Sequence, residues 1–244
     1  MTSPGNTDVG DRTAFELADA TWPEADAHAR RALVVPLGSI EQHGPHLPLD
    51  TDARIAVAVA AGIAAGRAGV ALAPAIAFGS SGEHAAFPGT LSIGTPALSG
   101  LLVELGRDAA RDWGALLLVN GHGGNHDAVG TAVSRLRAEG HRCAAFAAAP
   151  AAGDAHAGRT ETAILLHLDP DAVRLDLAEP GEQRPFGELI DRLRRDGVRS
   201  VSPNGVLGDP RGATAAEGRR LLAQVIAAGT AALDELLASM PAHA

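Results

Sequence analysis

Three carboxylates (Glu41, Asp50, Asp52) and two imidazoles (His43, His46) fall within the single stretch GSIEQHGPHLPLDTD, residues 38–52. Glu41 and His43 are spaced i, i+2, so in an extended segment their side chains point the same way. Asp52 opens an apolar helical pattern, and a helix N-terminus favours a carboxylate. Further along, His122 is bracketed by Gly121, Gly123 and Gly124, which let backbone approach closely. His156 and Glu161 stand at the opening of another helical pattern. Glu41, His43, Asp52, His122 and Glu161 form a mixed nitrogen and oxygen donor set, suited to Zn²⁺, Mn²⁺ or Fe²⁺. That set exceeds the roughly three ligands one open catalytic ion needs. Two divalent ions about 3.5–4 Å apart, sharing a bridging carboxylate, would use all of it, and Asp52 is the candidate bridge.

Other polar residues carry plainer readings. Asp50 suits a helix cap, and His126 a cap or a supporting position near the ligands. His46, in GPHLP, suits either loop structure or substrate contact, while His28, His141, His167 and His243 read as surface histidines. Glu83, His84 and Phe87, in SGEHAAF, are candidates for positioning substrate, with ordinary packing the alternative for Phe87. The turn at 121–124 is placed to offer backbone N–H groups to an oxyanion. NGHGGN is not a dinucleotide fingerprint, and the chain has no G-x-S-x-G. It also has no lysine and no tyrosine, which excludes a Schiff base, a Walker lysine and any tyrosine acid, base or nucleophile.

The elements that must position these residues alternate between short apolar runs and helical patterns. ALVVPL (32–37), VALAPAIAF (70–78), ALLLVN (115–120) and RCAAFAAA (142–149) read as buried strands. Helical spacing follows each: Ile55, Val59 and Ile63 after the first, then a segment from Thr95 as N-cap with Pro96 at the first helical position. A third helix runs from near His126 to Glu139, a fourth through RTETAILLHL, and a C-terminal helix covers about 214–239. This βαβα order predicts an α/β fold, a mostly parallel sheet with helices on both faces. Ligands of such sheets bind beyond the carboxyl ends of the strands. Six of the ten histidines (His43, His46, His84, His122, His126, His156) lie in the four loops at those ends. Residues 178–212 are the least regular part, with one charged helical piece, GELIDRLRRDG. Residues 1–12 read as a disordered tail and 13–244 as a single domain.

Composition narrows the partners. A net charge of −9 argues against nucleic acid or anionic membrane as the main partner, and no apolar stretch reads as long enough to span a bilayer. Cys143, the single cysteine, excludes an internal disulfide and suits a core strand and a cytoplasmic location.

PLGSIEQHGPHLPLDTD, SSGEHAAFPGTLSIG, VNGHGGNHD and DAHAGRTET, in this order, resemble the four signature segments of the creatininase (creatinine amidohydrolase) family. The tail SPNGVLGDPRGATAAEGRRLL is similar to the branch of that family that processes the mycofactocin precursor peptide. The resemblance implies a creatininase-like three-layer sandwich and metal ligands at Glu41, His43, Asp52, His122 and Glu161, with Asp52 bridging. It implies His156 as a proton shuttle, a task suited to an imidazole titrating near its ordinary value, and a homo-oligomer. The activity implied is release of a C-terminal Val-Tyr dipeptide from the modified precursor. A small-molecule cyclic amidase or formamide deformylase is the alternative, and a non-catalytic metal-binding assembly protein the remote one. Creatinine-hydrolysing members carry a glutamate ligand where this chain has Gly124, and they surround the ring substrate with aromatic residues scarce here.

Overall fold

The computed structural model describes residues 14–150 and 153–238. The expected tail and His243 lie outside them. Five parallel strands, β1 (Phe15–Glu16), β2 (Ala32–Leu37), β3 (Val70–Leu72), β4 (Leu116–Asn120) and β5 (Cys143–Ala147), form one sheet in the order β1-β3-β2-β4-β5. Because side chains alternate across a strand, each strand feeds two apolar layers. Leu33, Val35, Leu37, Leu116 and Leu118 face α3 (Thr95–Ala109) and α4 (His126–Ala138), meeting Leu98, Leu102, Val129 and Leu136. Val34, Leu117 and Val119 face the opposite layer, formed by α2 (Thr51–Ala64), α5 (Arg159–Leu168) and α8 (Ala215–Ala238), with Val59, Ile63, Leu165, Leu222 and Leu233. The expected three-layer sandwich is the observed architecture.

The order of connection decides where chemistry can sit. From β2 the chain crosses to β3 on one side, then returns past β2 to reach β4 and β5 on the other. Strand order therefore reverses between β2 and β4, and the crevice at their carboxyl ends is the place where such sheets bind ligands. The loop after β2 carries Glu41 and His43, and the loop after β4 carries His122. Gly121 lets the second loop press onto the first turn of α2, since a Cβ there would fall 2.5 Å from the Asp52 carbonyl oxygen. Asn125 clasps three of the strand-end loops. Its fully buried amide donates to Gly38 O (3.0 Å) and Asn120 Oδ1 (3.1 Å) and accepts from Ser80 N–H (2.8 Å).

Several expectations are corrected. The strand predicted over 70–78 ends at Leu72, because Pro74 has no N–H to extend the ladder, and the segment meets β2 again at one bridge, Leu37 with Ile76. Gly94, not Thr95, occupies the N-cap of α3, and the Thr95 hydroxyl instead bonds Ser80 Oγ at 2.9 Å. β1, at two residues, is too short for any periodic signal. α8, at 24 residues with a mean hydropathy of 1.5 in its most apolar window, does reach bilayer length. Its buried stripe of Leu222, Val225, Gly229, Leu233 and Leu237 packs in the core over α2 and α5.

The irregular segment is a cover for the strand ends. Residues 186–196 form α6 (Phe186–Asp196), as the charged piece predicts, followed by α7 (Val198–Val201). Leu189, Leu193, Val198, Val201 and Leu207 make a small separate core against Phe87, and the Arg199 guanidinium lies 5.3 Å from the Phe87 ring centre.

Asn125→Ala leaves Ser80 N–H and Gly38 C=O without their buried partner, at about 1–3 kcal/mol for each group. Urea unfolding should show more than about 2 kcal/mol of lost stability. A variant as stable as wild type would mean that the amide does not hold the three loops.

Candidate metal centre

Each reactive side chain is held by a local device the sequence builds in. Asp52 stands in the first turn of α2, where free N–H groups and the helix dipole favour its charge. Asp50 occupies the N-cap position, yet its carboxylate makes no cap bond and pairs with Arg54 Nε at 2.8 Å. His156 is fastened to the cover by a two-way backbone pair with Leu207 (Leu207 N–H to His156 O, 2.8 Å). The next residue, Ala157, has φ of +52°, a region unusual for a non-glycine residue. That turn aims the Ala157 N–H at Glu161 Oε2, 2.6 Å away.

The five expected ligands converge. Glu41 Oε2 lies 3.1 Å from His122 Nε2, and Glu41 Oε1 lies 3.7 Å from His156 Nδ1. Asp52 faces two ways: Oδ1 is 3.0 Å from His43 Nε2 and Oδ2 is 3.3 Å from His122 Nδ1. Glu161 Oε2 stands 3.9 Å from His43 Nε2. Donor atoms of Glu41, Asp52 and His122 lie within 4.8 Å of one another, and so do those of His43, Asp52 and Glu161. Asp52 is common to these two; a third trio, Glu41, His43 and His156, meets the same distance. Ser39 Oγ donates to Asp52 Oδ2 at 2.5 Å and fixes the carboxylate plane.

Tautomers follow from the neighbours. His156 Nε2 is 2.8 Å from the Gln42 carbonyl, a pure acceptor, so that nitrogen carries the hydrogen and Nδ1 keeps the lone pair. The Gln42 amide then gives its two hydrogens to His84 Nδ1 (2.9 Å) and to Gly205 O of the cover (3.0 Å). His84 therefore carries its hydrogen on Nε2, which lies 3.2 Å from Glu41 Oε1 but outside hydrogen-bond alignment. His43 directs Nδ1 at Glu41 O (3.1 Å), which leaves Nε2 facing Asp52 and Glu161.

Electrostatics split the histidines into two groups. Burial opposes charge on His43, but Asp52, Glu161 and Glu41 outweigh it and raise its pKa to about 10. His122 likewise is raised well above the ordinary value, its burial overcome by Glu41 and Asp52. Burial and the neighbouring cationic His43 hold His156 well below the ordinary range, so it works as a neutral imidazole and does not titrate near its ordinary value. Burial, with His122 next, takes His84 down to about 3. Glu161 is raised to about 7 because burial exceeds the attraction of His43. Asp52 is held well below its usual range, since His43 and His122 overcome its burial.

The residues suggested as substrate contacts divide. Glu83 is partly exposed, and its Oε1 lies 3.5 Å from His122 Nε2. His84 is inside the centre. Phe87 packs under the cover, the packing alternative. His46 is fully buried, with Nε2 2.9 Å from Thr162 Oγ1, and Thr162 in turn donates to Gly158 O. That geometry is loop structure: His46 braces the first turn of α5, next to Glu161. His126 is exposed and stands apart from the centre. Two of the N–H groups proposed for an oxyanion are spent, Gly121 on Leu37 O (2.8 Å) and His122 on Asn120 Oδ1 (3.3 Å). Cys143 is buried beneath α4 with its thiol near Val133 O, the expected core position. Gln42, Ser39 and Asn125 were not singled out by sequence. Their signal, polar residues beside glycine at strand ends, is shared by ordinary loops.

This donor set fits a cation. Both carboxylate oxygens of Glu41 are fully buried and make no hydrogen bond, an arrangement whose cost of several kcal/mol a bound cation removes. The donors are nitrogen and oxygen only, and four of the five side chains stand around the fifth, Asp52, whose two oxygens face different imidazoles.

An all-parallel three-layer sandwich with a buried donor pocket at its strand-order reversal defines an α/β enzyme that works at the strand ends. The chain belongs to the creatininase family, whose profile (creatinine amidohydrolase) matches residues 18–233, and it is a hydrolase of amide bonds. It is 51% identical over 227 residues to the mycofactocin precursor peptide peptidase of Mycobacterium ulcerans, spanning 90% of this chain and 87% of that one. To the protein of the same description from Mycolicibacterium smegmatis it is 52% identical over 220 residues, 87% of this chain and 89% of the other. A solved creatininase in its manganese form superposes with a TM-score of 0.73 at 25% identity, over 91% of this chain and 98% of that one.

In ion-free protein His43 and His122 hold protons near neutral pH, because both pKa values are raised. A cation must displace those protons, so uptake releases H⁺ and weakens as the pH falls. Calorimetric titration with Zn²⁺ or Mn²⁺ in two buffers of different ionisation enthalpy should give different heats. Equal heats would show that the ligands carry no displaceable protons.

Proposed function

We propose that this chain is a dinuclear metallopeptidase that releases the C-terminal Val-Tyr dipeptide from the modified mycofactocin precursor peptide. The observation that carries the metal reading is Asp52, whose two oxygens face two separate donor trios. The peptide reading is supported by the relatives of 51% and 52% identity, both described as precursor peptide peptidases.

In this reading Glu41, Asp52 and His122 would hold one divalent ion and His43, Asp52 and Glu161 the other. When bound, the pair would supply a water of lowered pKa and Lewis-acid polarisation of the scissile carbonyl. The protein's own groups do the rest. Glu83 and Glu161 are the partly exposed carboxylates of the pocket, 28% and 22% accessible, so substrate enters on their side. His156 presents a neutral Nδ1 to the centre while its Nε2–H stays on Gln42 O. It accepts a proton at Nδ1 and delivers it to the departing nitrogen. The cover, tied to Gln42 through Gly205 O, excludes bulk water from this step. Self-association is supported by the exposed apolar side chains of Phe78, Leu91 and Ile93 near the mouth loops.

Metal-loaded protein incubated with modified precursor should release the dipeptide, read by mass spectrometry. His156→Ala should keep its metal and lose about 10²-fold or more in turnover, whereas Glu161→Ala should lose metal by elemental analysis. No dipeptide release, with turnover of a small cyclic amide instead, would overturn the peptide reading.

A further inference from the structure

We infer that Glu83 is a further ligand of the centre, completing the Glu41–Asp52–His122 half from the loop after β3. This deepens the metal reading above and rests on it.

Position 124 is closed to a side chain. A Cβ built there would fall 2.4 Å from Glu83 Oε1, 2.4 Å from His122 Nε2 and 2.4 Å from Ser80 O, so the His122 ring and the Ser80 carbonyl require glycine together with Glu83. The backbone at 124 therefore passes directly beside the point where the Glu83 carboxylate meets the His122 ring, Oε1 to Nε2 being 3.5 Å. His122 Nε2 is at the same time 3.1 Å from Glu41 Oε2, so the Glu83 oxygen and the unbonded Glu41 oxygen flank one imidazole edge.

The loop is built to aim that side chain. Residues 82–84 form one 3₁₀ turn, which sends His84 inward to Glu41 and Glu83 to the same pocket from its open side. Ser80 and Ser81 anchor the turn from below: Ser80 N–H donates to Asn125 Oδ1 (2.8 Å) and Ser81 N–H to Ser92 Oγ (2.9 Å). From above, Gly197 of the cover abuts the Glu83 carbonyl, where a Cβ would come within 2.9 Å. The backbone of Glu83 is thus clamped on both sides, and its carboxylate is the donor nearest solvent in that half. Its place between solvent and His122 makes it the ligand that substrate meets first.

Glu83→Gln keeps the shape and removes the charge. Competition against a chromophoric chelator with Zn²⁺ or Mn²⁺ should show one of the two ions bound at least about tenfold more weakly and the other unchanged. Gly124→Ala, which crowds Glu83, His122 and the Ser80 carbonyl together, should weaken the same ion. Thermal unfolding of the ion-free variants reports whether they fold, and Glu83→Asp, which retracts the carboxylate, gives a second measure if Gly124→Ala does not. Wild-type uptake that is lost in Asp52→Asn but unchanged in Glu83→Gln would overturn this inference alone. Wild-type protein that takes up no ion would sink the metal centre as well.

Discussion

Glu41 is the constraint around which the rest is arranged. A carboxylate with both oxygens buried and neither hydrogen-bonded is a charge the fold has taken from water with only neighbouring imidazoles to balance it. Such a group costs several kcal/mol unless positive charge sits beside it. Around it stand His84, His122 and His156, at 3.2, 3.1 and 3.7 Å from its oxygens. Protons on imidazoles can meet that demand in the ion-free protein, and divalent ions meet it with more charge in less space. Stability and chemistry are therefore coupled through one side chain: whatever cation neutralises Glu41 also assembles the reactive centre.

The sheet explains why so much charge can be gathered at one point. Parallel strands end together, and strand-order reversal splays the loops after β2 and β4 apart by one strand spacing. Into that gap α2 inserts its first turn, bringing Asp52 with the favourable end of a helix dipole. Gly121 and the Asn125 amide close the seams between backbone segments that larger side chains would force apart. α5 reaches the same point from the other layer with Glu161, braced by Thr162 against His46. Only then does the cover add Gly205 and Leu207 to the site's edge.

Much of this was legible in residue order. Unbroken apolar runs such as ALVVPL mark strands buried on both faces, and polar loops rich in histidine at their ends mark the site edge. The convergence of Glu41, His43, Asp52, His122 and Glu161 follows from those two signals together. What stayed hidden shares a physical cause. Gln42, Ser39 and Asn125 act through single amide or hydroxyl contacts between loops distant in sequence, and such contacts leave no periodicity. β3 looked long because Pro74 and Ala75 are apolar, and hydropathy does not register a missing N–H. His46 was ambiguous because burial, the property that decides between a brace and a contact, belongs to the fold and not to the loop.

The five histidines of the centre show how one residue type is divided into different tools. His43 and His122 touch carboxylates, and those carboxylates overcome burial and draw them toward the cationic form, the same attraction that draws in metal ions. At His46, His84 and His156 burial, with the cationic His43 or His122 next, prevails even where Glu41 lies 3.2 Å (His84) or 3.7 Å (His156) away, and draws them toward the neutral form. Gln42 makes that division strict for two of them, accepting the His156 hydrogen on its carbonyl and donating to His84 from its amide. Cationic and neutral imidazoles thus coexist within one pocket because carboxylate attraction exceeds burial at His43 and His122 and not at the others. The division also reinforces itself, since the cationic His43, its ring centre 4.4 Å from that of His156, opposes a proton on His156.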